Sequence, residues 1–164
     1  DERFEYGRNF ANKIWNASRF VLMNLNGVDN TDIDLNNLTL ADKWILNKLN
    51  NVCKDVNENI RNYRIGEIAH ILYDFFWNSY CDWYVELSKI EKNESVLVYV
   101  LENFLKLLHP IMPHITEAIW QKMPIILEKN TSFEFFVKCR ALSCLYCIKK
   151  HGYIPPTEGF QCVN

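Results

Sequence analysis

Hydrophobic positions recur with the period of an α-helix along most of the chain. The first such helix, RNFANKIWNASRFV between residues 8 and 21, carries two stripes. One stripe is apolar, as on the core-facing side of an amphipathic helix, and comprises Phe10, Ile14, Ala17 and Val21. The other combines amide, cationic and aromatic side chains and comprises Asn9, Lys13, Asn16, Phe20 and Met23, with Asn12 and Arg19 along its edge. Packing explains the first stripe, whereas the second needs another explanation.

The same period predicts five helices, because only five glycines and five prolines interrupt 164 residues. Thr39 and Asp42 form an N-cap pair for the second helix, and Asn93 lies in a polar turn, KNES. Pro110 and Pro113 stand at the start of the fifth helix. The predicted helices cover about 2–25, 40–62, 64–90, a stretch from the KNES turn at 92–95 to about 109, and a stretch from near 115.

The third predicted helix is aromatic over much of its surface, and a helix that is apolar nearly all round is usually buried among several neighbours. We therefore expect it to lie centrally. Trp77, Tyr80 and Tyr84 share one face at helical spacing and are expected in the core. Together with the short connections, these features predict an all-α fold, an antiparallel helix bundle of about five helices.

Composition narrows the class of protein. A length of 164 residues suits one domain, and a hydrophobic content of 49% excludes a disordered segment. The net charge of −2 argues against a strongly basic nucleic-acid-binding protein, although it is compatible with a local basic patch. No apolar run reaches the roughly 20 residues that span a bilayer, and the start DERFEYGRNF is unlike a signal peptide. We expect a cytoplasmic monomer that does not bind membranes.

The six cysteines divide the chain into two parts. Cys53 and Cys81 lie within helical patterns, where a reduced thiol behaves as a small hydrophobic group. The other four lie beyond the point at which the helical period is lost. We therefore predict a helical bundle at 1–124 and an atypical Cys-rich tail of uncertain structure at 125–164.

The tail contains enough thiols for a metal site to be considered. Cys139, Cys144 and Cys147, followed by His151 and Cys162, supply zinc ligands, and the first three match the start of an iron–sulfur spacing. Structural zinc sites usually show two separated ligand pairs, and here only Cys144 and Cys147 form a close pair. The prediction is that the chain has no metal site, with metal binding through the tail kept as an alternative.

Four stretches of the chain resemble one family, the C-terminal helical anticodon-binding domain of valyl-tRNA synthetase. They occur in the family's order and spacing, cover roughly residues 4–123, and read RNFANKIWNASRFVL, LADKWILNKL, FFWNSYCDWYVELSK and LLHPIMPHITEAIWQ. The resemblance implies the same helix bundle, with valine tRNA, through its anticodon stem-loop, and the catalytic domain of the synthetase as partners. After Met123 the sequence departs from the family.

The resemblance also implies that catalysis belongs to another part of the enzyme. Class I synthetases bind ATP through His-Ile-Gly-His and Lys-Met-Ser-Lys-Ser signatures, and neither occurs here; the nearest string, RIGEI at 64–68, has no histidine. We therefore expect no cofactor and no catalytic residue in this chain, with ATP bound by the catalytic domain of the parent enzyme. His70, His109 and His114 lie in no catalytic arrangement and are expected to be capped or half-buried.

In this family the first helix meets the last two anticodon bases, which gives the second stripe a function. Unpaired bases stack on aromatic rings and are hydrogen-bonded along their edges. Phe20 is the predicted stacking platform, and the other predicted RNA-binding residues on this helix are Lys13, Asn16, Arg19 and Asn12. Asp82 and Trp83 on the third helix are predicted to border the pocket. From the residues alone, the alternative explanation of this stripe is a solvated helix face with a half-exposed aromatic side chain.

Two other functions compete with anticodon binding. One is a helix-bundle protein-interaction module whose RNA-binding surface has been lost, and the other is a metal-binding regulatory protein that uses the C-terminal cysteines. Salt-dependent binding to an anticodon hairpin distinguishes the first, and elemental analysis of the purified protein distinguishes the second.

Overall fold

The computed structural model describes residues 2–25, 33, 37–91 and 93–123, and these residues form five helices and no strand. This confirms the predicted all-α bundle. The third helix, α3, consists of three consecutive stretches, which are α-helical Ile65–Asp74, π-helical Phe75–Tyr84 and α-helical Val85–Leu87. The others are α1 (Glu2–Asn24), α2 (Leu40–Arg61), α4 (Glu94–Leu108) and α5 (Pro113–Trp120).

Hydrogen bonds between neighbouring helices show the antiparallel order. The Tyr84 hydroxyl, near the end of α3, donates to Asp42 at the start of α2 over 2.6 Å. The Tyr80 hydroxyl donates over 2.8 Å to the backbone carbonyl of Leu97, in the first half of α4. Late residues of α3 therefore meet early residues of both α2 and α4, so that α3 runs antiparallel to each of them.

Helix α3 lies at the centre of the bundle, as its aromatic content predicted. The rings of Phe76 and Phe104 stack with centroids 4.1 Å apart, and the ring of Phe10 meets that of Phe76 edge-on at 6.2 Å. These contacts join α1, α3 and α4 in one continuous core. Aromatic pairs in these geometries stabilise the fold beyond the contribution of their buried area. On α1, Phe10, Ile14 and Val21 are buried, which confirms three members of the predicted apolar stripe, and Ala17 is half-buried.

The helix ends follow from local chemistry. Thr39 accepts from the backbone N–H of Asp42 while the Asp42 carboxylate accepts from the N–H of Thr39, which is the predicted capping box. Asn93 caps α4 by accepting from the N–H of Val96. Just beyond the end of α2, Tyr63 lies in the left-handed region at φ 57°, at a position that glycine usually fills.

Several predicted helix limits differ from the observed ones by one to three residues. The first helix ends at Asn24, the second ends at Arg61, and the third begins at Ile65 and ends at Leu87. The fifth begins at Pro113 and not near 115, because a proline in the first turn lacks only an N–H that would have no helical partner. The Cys-rich tail at 125–164 lies outside the described residues, so the predicted domain boundary stays a prediction.

The π-helical stretch of α3 was not predicted and changes which residues share a face. The N–H of Val85 donates to the carbonyl of Tyr80, five residues back, so each turn holds more residues than in an α-helix. Tyr80 and Tyr84 are buried as expected, but Trp77 is only half-buried. Trp77 nevertheless packs against the core, so the expectation that it belongs there is confirmed in part, and its partial exposure follows from π-helical spacing.

Candidate nucleic-acid interface

Helices α1 and α3 run in the same direction and meet along one surface. The ring centroids of Phe10 and Tyr73 are 4.8 Å apart near the start of this contact, and further along Lys13 reaches Asp82. At the far end, the ammonium of Lys89 lies 5.6 Å from the ring centroid of Phe20. We call the solvent-facing part of this contact the α1–α3 seam, and its residues are Lys13, Phe20, Trp77, Asp82, Glu86 and Lys89.

At one end of the seam, Lys13 of α1 joins two groups of α3. Its ammonium donates to Oδ1 of Asp82 over 2.9 Å and lies 4.7 Å from the ring centroid of Trp77. The Trp77 ring stacks on Tyr73 with centroids 5.4 Å apart, which holds it in place. Lys13 and Asp82 remain partly open to solvent, with 31% and 45% of their side chains exposed. Lys13 and Asp82, two of the predicted binding residues, are thus in direct contact although they lie on different helices.

At the other end of the seam, Phe20 and Lys89 form a similar unit. Phe20 is half-buried, with part of its ring against the core, and the ammonium of Lys89 lies over that ring. The same ammonium donates to both carboxylate oxygens of Glu86, at 2.6 and 2.7 Å. This unit therefore repeats the composition of the first one, a lysine, an aromatic ring and a carboxylate of α3, with Lys89 in the turn that follows α3.

The remaining predicted site residues lie in solvent. Asn12, Asn16 and Arg19 are exposed on α1, and within the described part of the chain none of their side chains has a hydrogen-bonding or ionic partner. Trp83 is 64% exposed on α3 and makes no ring contact with another described residue. Arg19 and the two asparagines thus have donors available for a ligand, next to an aromatic ring that is itself partly accessible.

Comparison with known proteins identifies the family. Residues 42–142 match the family described as the anticodon-binding domain of tRNA ligase. The chain belongs to this family.

Curated relatives of this anticodon-binding domain are valine–tRNA ligases. That of Carboxydothermus hydrogenoformans is 51% identical over 132 residues, which are 75% of this chain and 15% of that protein. That of Thermotoga maritima is 47% identical over 135 residues, 78% of this chain and 15% of the relative. That of Rhodopirellula baltica is 43% identical over 137 residues, which are 79% of this chain and 13% of the relative. The chain therefore spans only a small share of the length of the relatives it matches.

Sequence reasoning missed three residues of the seam in this anticodon-binding domain. Glu86 and Lys89 have the spacing of an ion pair on a helix, but that spacing does not indicate which side of α3 faces Phe20. Trp77 was assigned to the core on α-helical spacing, whereas the π-helical turn brings it beneath Lys13. No local signal in the sequence identifies this arrangement, because each unit needs a residue from the other helix.

The Cys81 thiol, close to the seam, is unreactive. Burial raises the pKa of this thiol to about 12, against the opposing influence of the nearby Lys13 ammonium. Cys81 therefore stays protonated and is no nucleophile at neutral pH. Within the described residues, no group of three or more potential metal ligands comes together, and no helix is long and apolar enough to cross a membrane.

Of the three histidines that the sequence singled out, His109 is half-buried whereas His70 and His114 are exposed, so the expectation that all three are capped or half-buried is wrong for the last two. Nδ1 of His109 lies 2.7 Å from the hydroxyl of Thr116. That hydroxyl has backbone carbonyls at 2.9 and 3.0 Å to which it donates, so its oxygen accepts from the imidazole. The contact ties the end of α4 to α5.

We expect acid to weaken the anticodon-binding domain through His109. Burial lowers the pKa of His109 below its ordinary value of 6.5, so the unfolded chain binds the proton more readily than the folded one. The stability contributed by neutral His109 is complete above pH 6.5 and is lost as the pH falls below it. Thermal unfolding of wild type and His109→Asn between about pH 7.5 and 5.5 should show a smaller decline for the variant. His70→Asn is the control, and an equal decline for all three proteins would contradict the assignment.

Proposed function

We propose that this domain binds the anticodon stem-loop of valine tRNA. The proposal is carried by α1, on which the half-buried ring of Phe20, a member of the seam, follows exposed Asn16 by about one helical turn and exposed Arg19 by one residue. An unpaired base needs such a set of groups: a flat apolar surface for stacking and donors that reach its edges. The relatives support the choice of tRNA, because those described above are valine–tRNA ligases.

Each residue of the predicted site has a role in this proposal. Phe20 stacks with a base, and Asn16 and Arg19, with Asn12 beside them, contact base edges, where the sequence of the anticodon is read. Lys13 contacts phosphate, which positions the loop without reading it. Asp82 and Trp83 border the pocket on the side of α3.

The rest of the proposed activity lies outside this chain. A valine–tRNA ligase would join valine to its tRNA with ATP in a catalytic domain, and the present domain would supply binding energy at a distance. Such energy from a remote part of the substrate favours turnover of the correct tRNA when it orients the acceptor end in the catalytic site. We further propose that the parent enzyme works in the cytoplasm as a monomer and that this chain alone activates no valine.

Binding to RNA hairpins tests the proposal directly. We expect fluorescence anisotropy to show that the chain binds the valine anticodon hairpin more tightly than a hairpin with the middle anticodon base changed. A single mismatched base contact should cost roughly five- to a hundredfold in affinity. Binding should weaken as salt rises, since part of it comes from cationic contacts with phosphate.

The outcome that contradicts the proposal is equal affinity for the two hairpins over the whole salt range. In that case the domain does not read the anticodon, and a protein-interaction role for the bundle would take precedence. A bare RNA duplex with the sequence of the hairpin stem is the control, because it retains the phosphates but has no unpaired bases.

A further inference from the structure

The two units of the α1–α3 seam share an arrangement that the proposed function does not require. In each unit a lysine lies over an aromatic ring and is also paired with a carboxylate of α3. Lys13 lies over Trp77 and pairs with Asp82, and Lys89 lies over Phe20 and pairs with Glu86. A surface that only attracted RNA would have no use for carboxylates at hydrogen-bonding distance from both of its lysines.

The carboxylates lower the attraction of the seam for phosphate. The ammonium of Lys13 donates to Asp82 over 2.9 Å, and that of Lys89 donates to both oxygens of Glu86. Each pair has a net charge close to zero, so it attracts a more distant phosphate only weakly. Both pairs are nevertheless partly exposed, with 45% of the Asp82 side chain and 60% of the Glu86 side chain open to solvent. Exposed pairs of this kind are weak, so a suitably placed phosphate can replace either carboxylate.

The aromatic contact adds a second condition at Phe20. The ammonium of Lys89 lies over one face of the ring, 5.6 Å from its centroid, and because the ring packs partly against the core we assign this face to the stacking base. A base and an ammonium cannot cover the same ring face together. Stacking on Phe20 therefore requires Lys89 to move, and a moved Lys89 is available to the phosphates of the nucleotide that displaced it.

We propose that Asp82 and Glu86 are specificity-determining residues, which hold Lys13 and Lys89 neutralised until an RNA loop with a base stacked on Phe20 releases them. This inference rests on the proposed function, in that the stacked base belongs to the anticodon loop. RNA without such a base leaves the pairs closed and gains little from the two lysines. The carboxylates thus weaken binding to the many RNA molecules that offer only phosphates.

The proposal predicts an asymmetric change in salt dependence. The slope of log affinity against log salt steepens by about 0.7 for each lysine that engages a phosphate of a single strand, and by about 0.9 for each that engages a phosphate of a duplex. In the complex with the anticodon loop, the two lysines already engage phosphate, so removing the carboxylates leaves the slope unchanged. With RNA that cannot stack on Phe20, the removal frees the lysines and the slope steepens.

The experiment compares wild type, Asp82→Asn, Glu86→Gln and the double variant as full 164-residue chains. Fluorescence anisotropy over a range of salt concentrations gives the slope for the valine anticodon hairpin and for the stem duplex without a loop. We expect the double variant to bind the duplex roughly three- to tenfold more tightly at low salt and with a steeper slope. Its slope for the hairpin should equal that of wild type, so the preference for the hairpin over the duplex declines.

Asp55→Asn is the matched control, since it removes the same charge from the exposed surface of α2, which does not form the seam. Circular dichroism melts establish that each variant is folded, as expected for exposed side chains. The proposal is overturned if the duplex slope does not change, if hairpin and duplex slopes steepen equally, or if Asp55→Asn has the same effect. If wild type fails to prefer the valine hairpin, the proposed function fails, yet the duplex slope still decides whether the carboxylates neutralise the lysines.

Discussion

Asp42→Ala is expected to lower the free energy of unfolding by about 3–5 kcal/mol, at the upper end of the effects of single substitutions. Asp42 is 2% exposed, and its carboxylate accepts three hydrogen bonds. The donors are the Thr39 backbone N–H at 3.0 Å, the Tyr84 hydroxyl at 2.6 Å and the Asn93 amide at 2.8 Å. One side chain thus connects the start of α2, the end of the π-helical stretch and the N-cap of α4.

The large effect follows from what the substitution leaves behind. Alanine removes the acceptor but not the donors, and a donor left without a partner in the interior costs the full price of its lost hydration. Tyr84 cannot turn toward water because its ring is buried. Burial, together with the hydrogen bond to Asp42, raises the pKa of Tyr84, so its hydroxyl remains a donor at neutral pH.

Urea unfolding at neutral pH measures the loss of stability. Two further variants separate the contribution of the Tyr84 hydrogen bond from the effect of removing an exposed charge. Tyr84→Phe removes one donor and keeps the ring, so a loss of about 1–2 kcal/mol is expected. Asp55→Ala changes an exposed aspartate of the same helix and should alter stability by no more than about 0.5 kcal/mol. A loss for Asp42→Ala no greater than that of a helix cap alone, about 1 kcal/mol, would show that the contacts with Tyr84 and Asn93 contribute nothing.

Asp42 also illustrates which contacts a sequence can predict. Thr39 and Asp42 are three positions apart, and a capping box is defined by that spacing, so the local part of the network was predicted. Tyr84 and Asn93 lie 42 and 51 residues further along the chain, and no short-range pattern connects them with Asp42. Asn93, which the sequence places in the KNES turn, is the N-cap of α4, and its second role, as a donor to Asp42, needs the folded bundle.

The residues of the candidate site also divide into those that the sequence predicts and those that only the fold brings together. Helical period alone separated the buried positions of α1, such as Phe10 and Ile14, from the stripe that carries Lys13 and Phe20. Their partners on α3 could not be predicted, because the π-helical turn changes the angular position of every following residue. For this reason Trp77, expected in the core, is only half-buried against it. Which of the stripe residues contact RNA stays a prediction.

Phe10→Ala and Phe20→Ala together provide the sharpest test of the stripe on α1. Phe10 is 7% exposed and its ring contacts those of Tyr73 and Phe76, so its truncation should cost about 3–5 kcal/mol of folding stability. Phe20 is half-buried and lies under Lys89, so its truncation should cost less, about 1–2 kcal/mol. For the affinity for the valine anticodon hairpin we expect the opposite order, with a larger loss for Phe20→Ala than for Phe10→Ala. Phe20→Ala should lose about 1–3 kcal/mol, the usual value of a stacked base.

Both quantities must be measured on both variants, with affinity expressed per folded molecule. Arg19→Ala is a useful companion, because Arg19 is exposed and its loss should leave stability within about 0.5 kcal/mol of wild type. If Arg19 reads a base edge, this variant should bind the valine hairpin more weakly and also discriminate less between it and the hairpin with an altered middle base. If Arg19 contacts only phosphate, Arg19→Ala should weaken binding to both hairpins equally.

If Phe20→Ala unfolds the domain while the folded fraction binds RNA as tightly as wild type, the ring of Phe20 is only a part of the core, and the second stripe of α1 is not where the anticodon is bound.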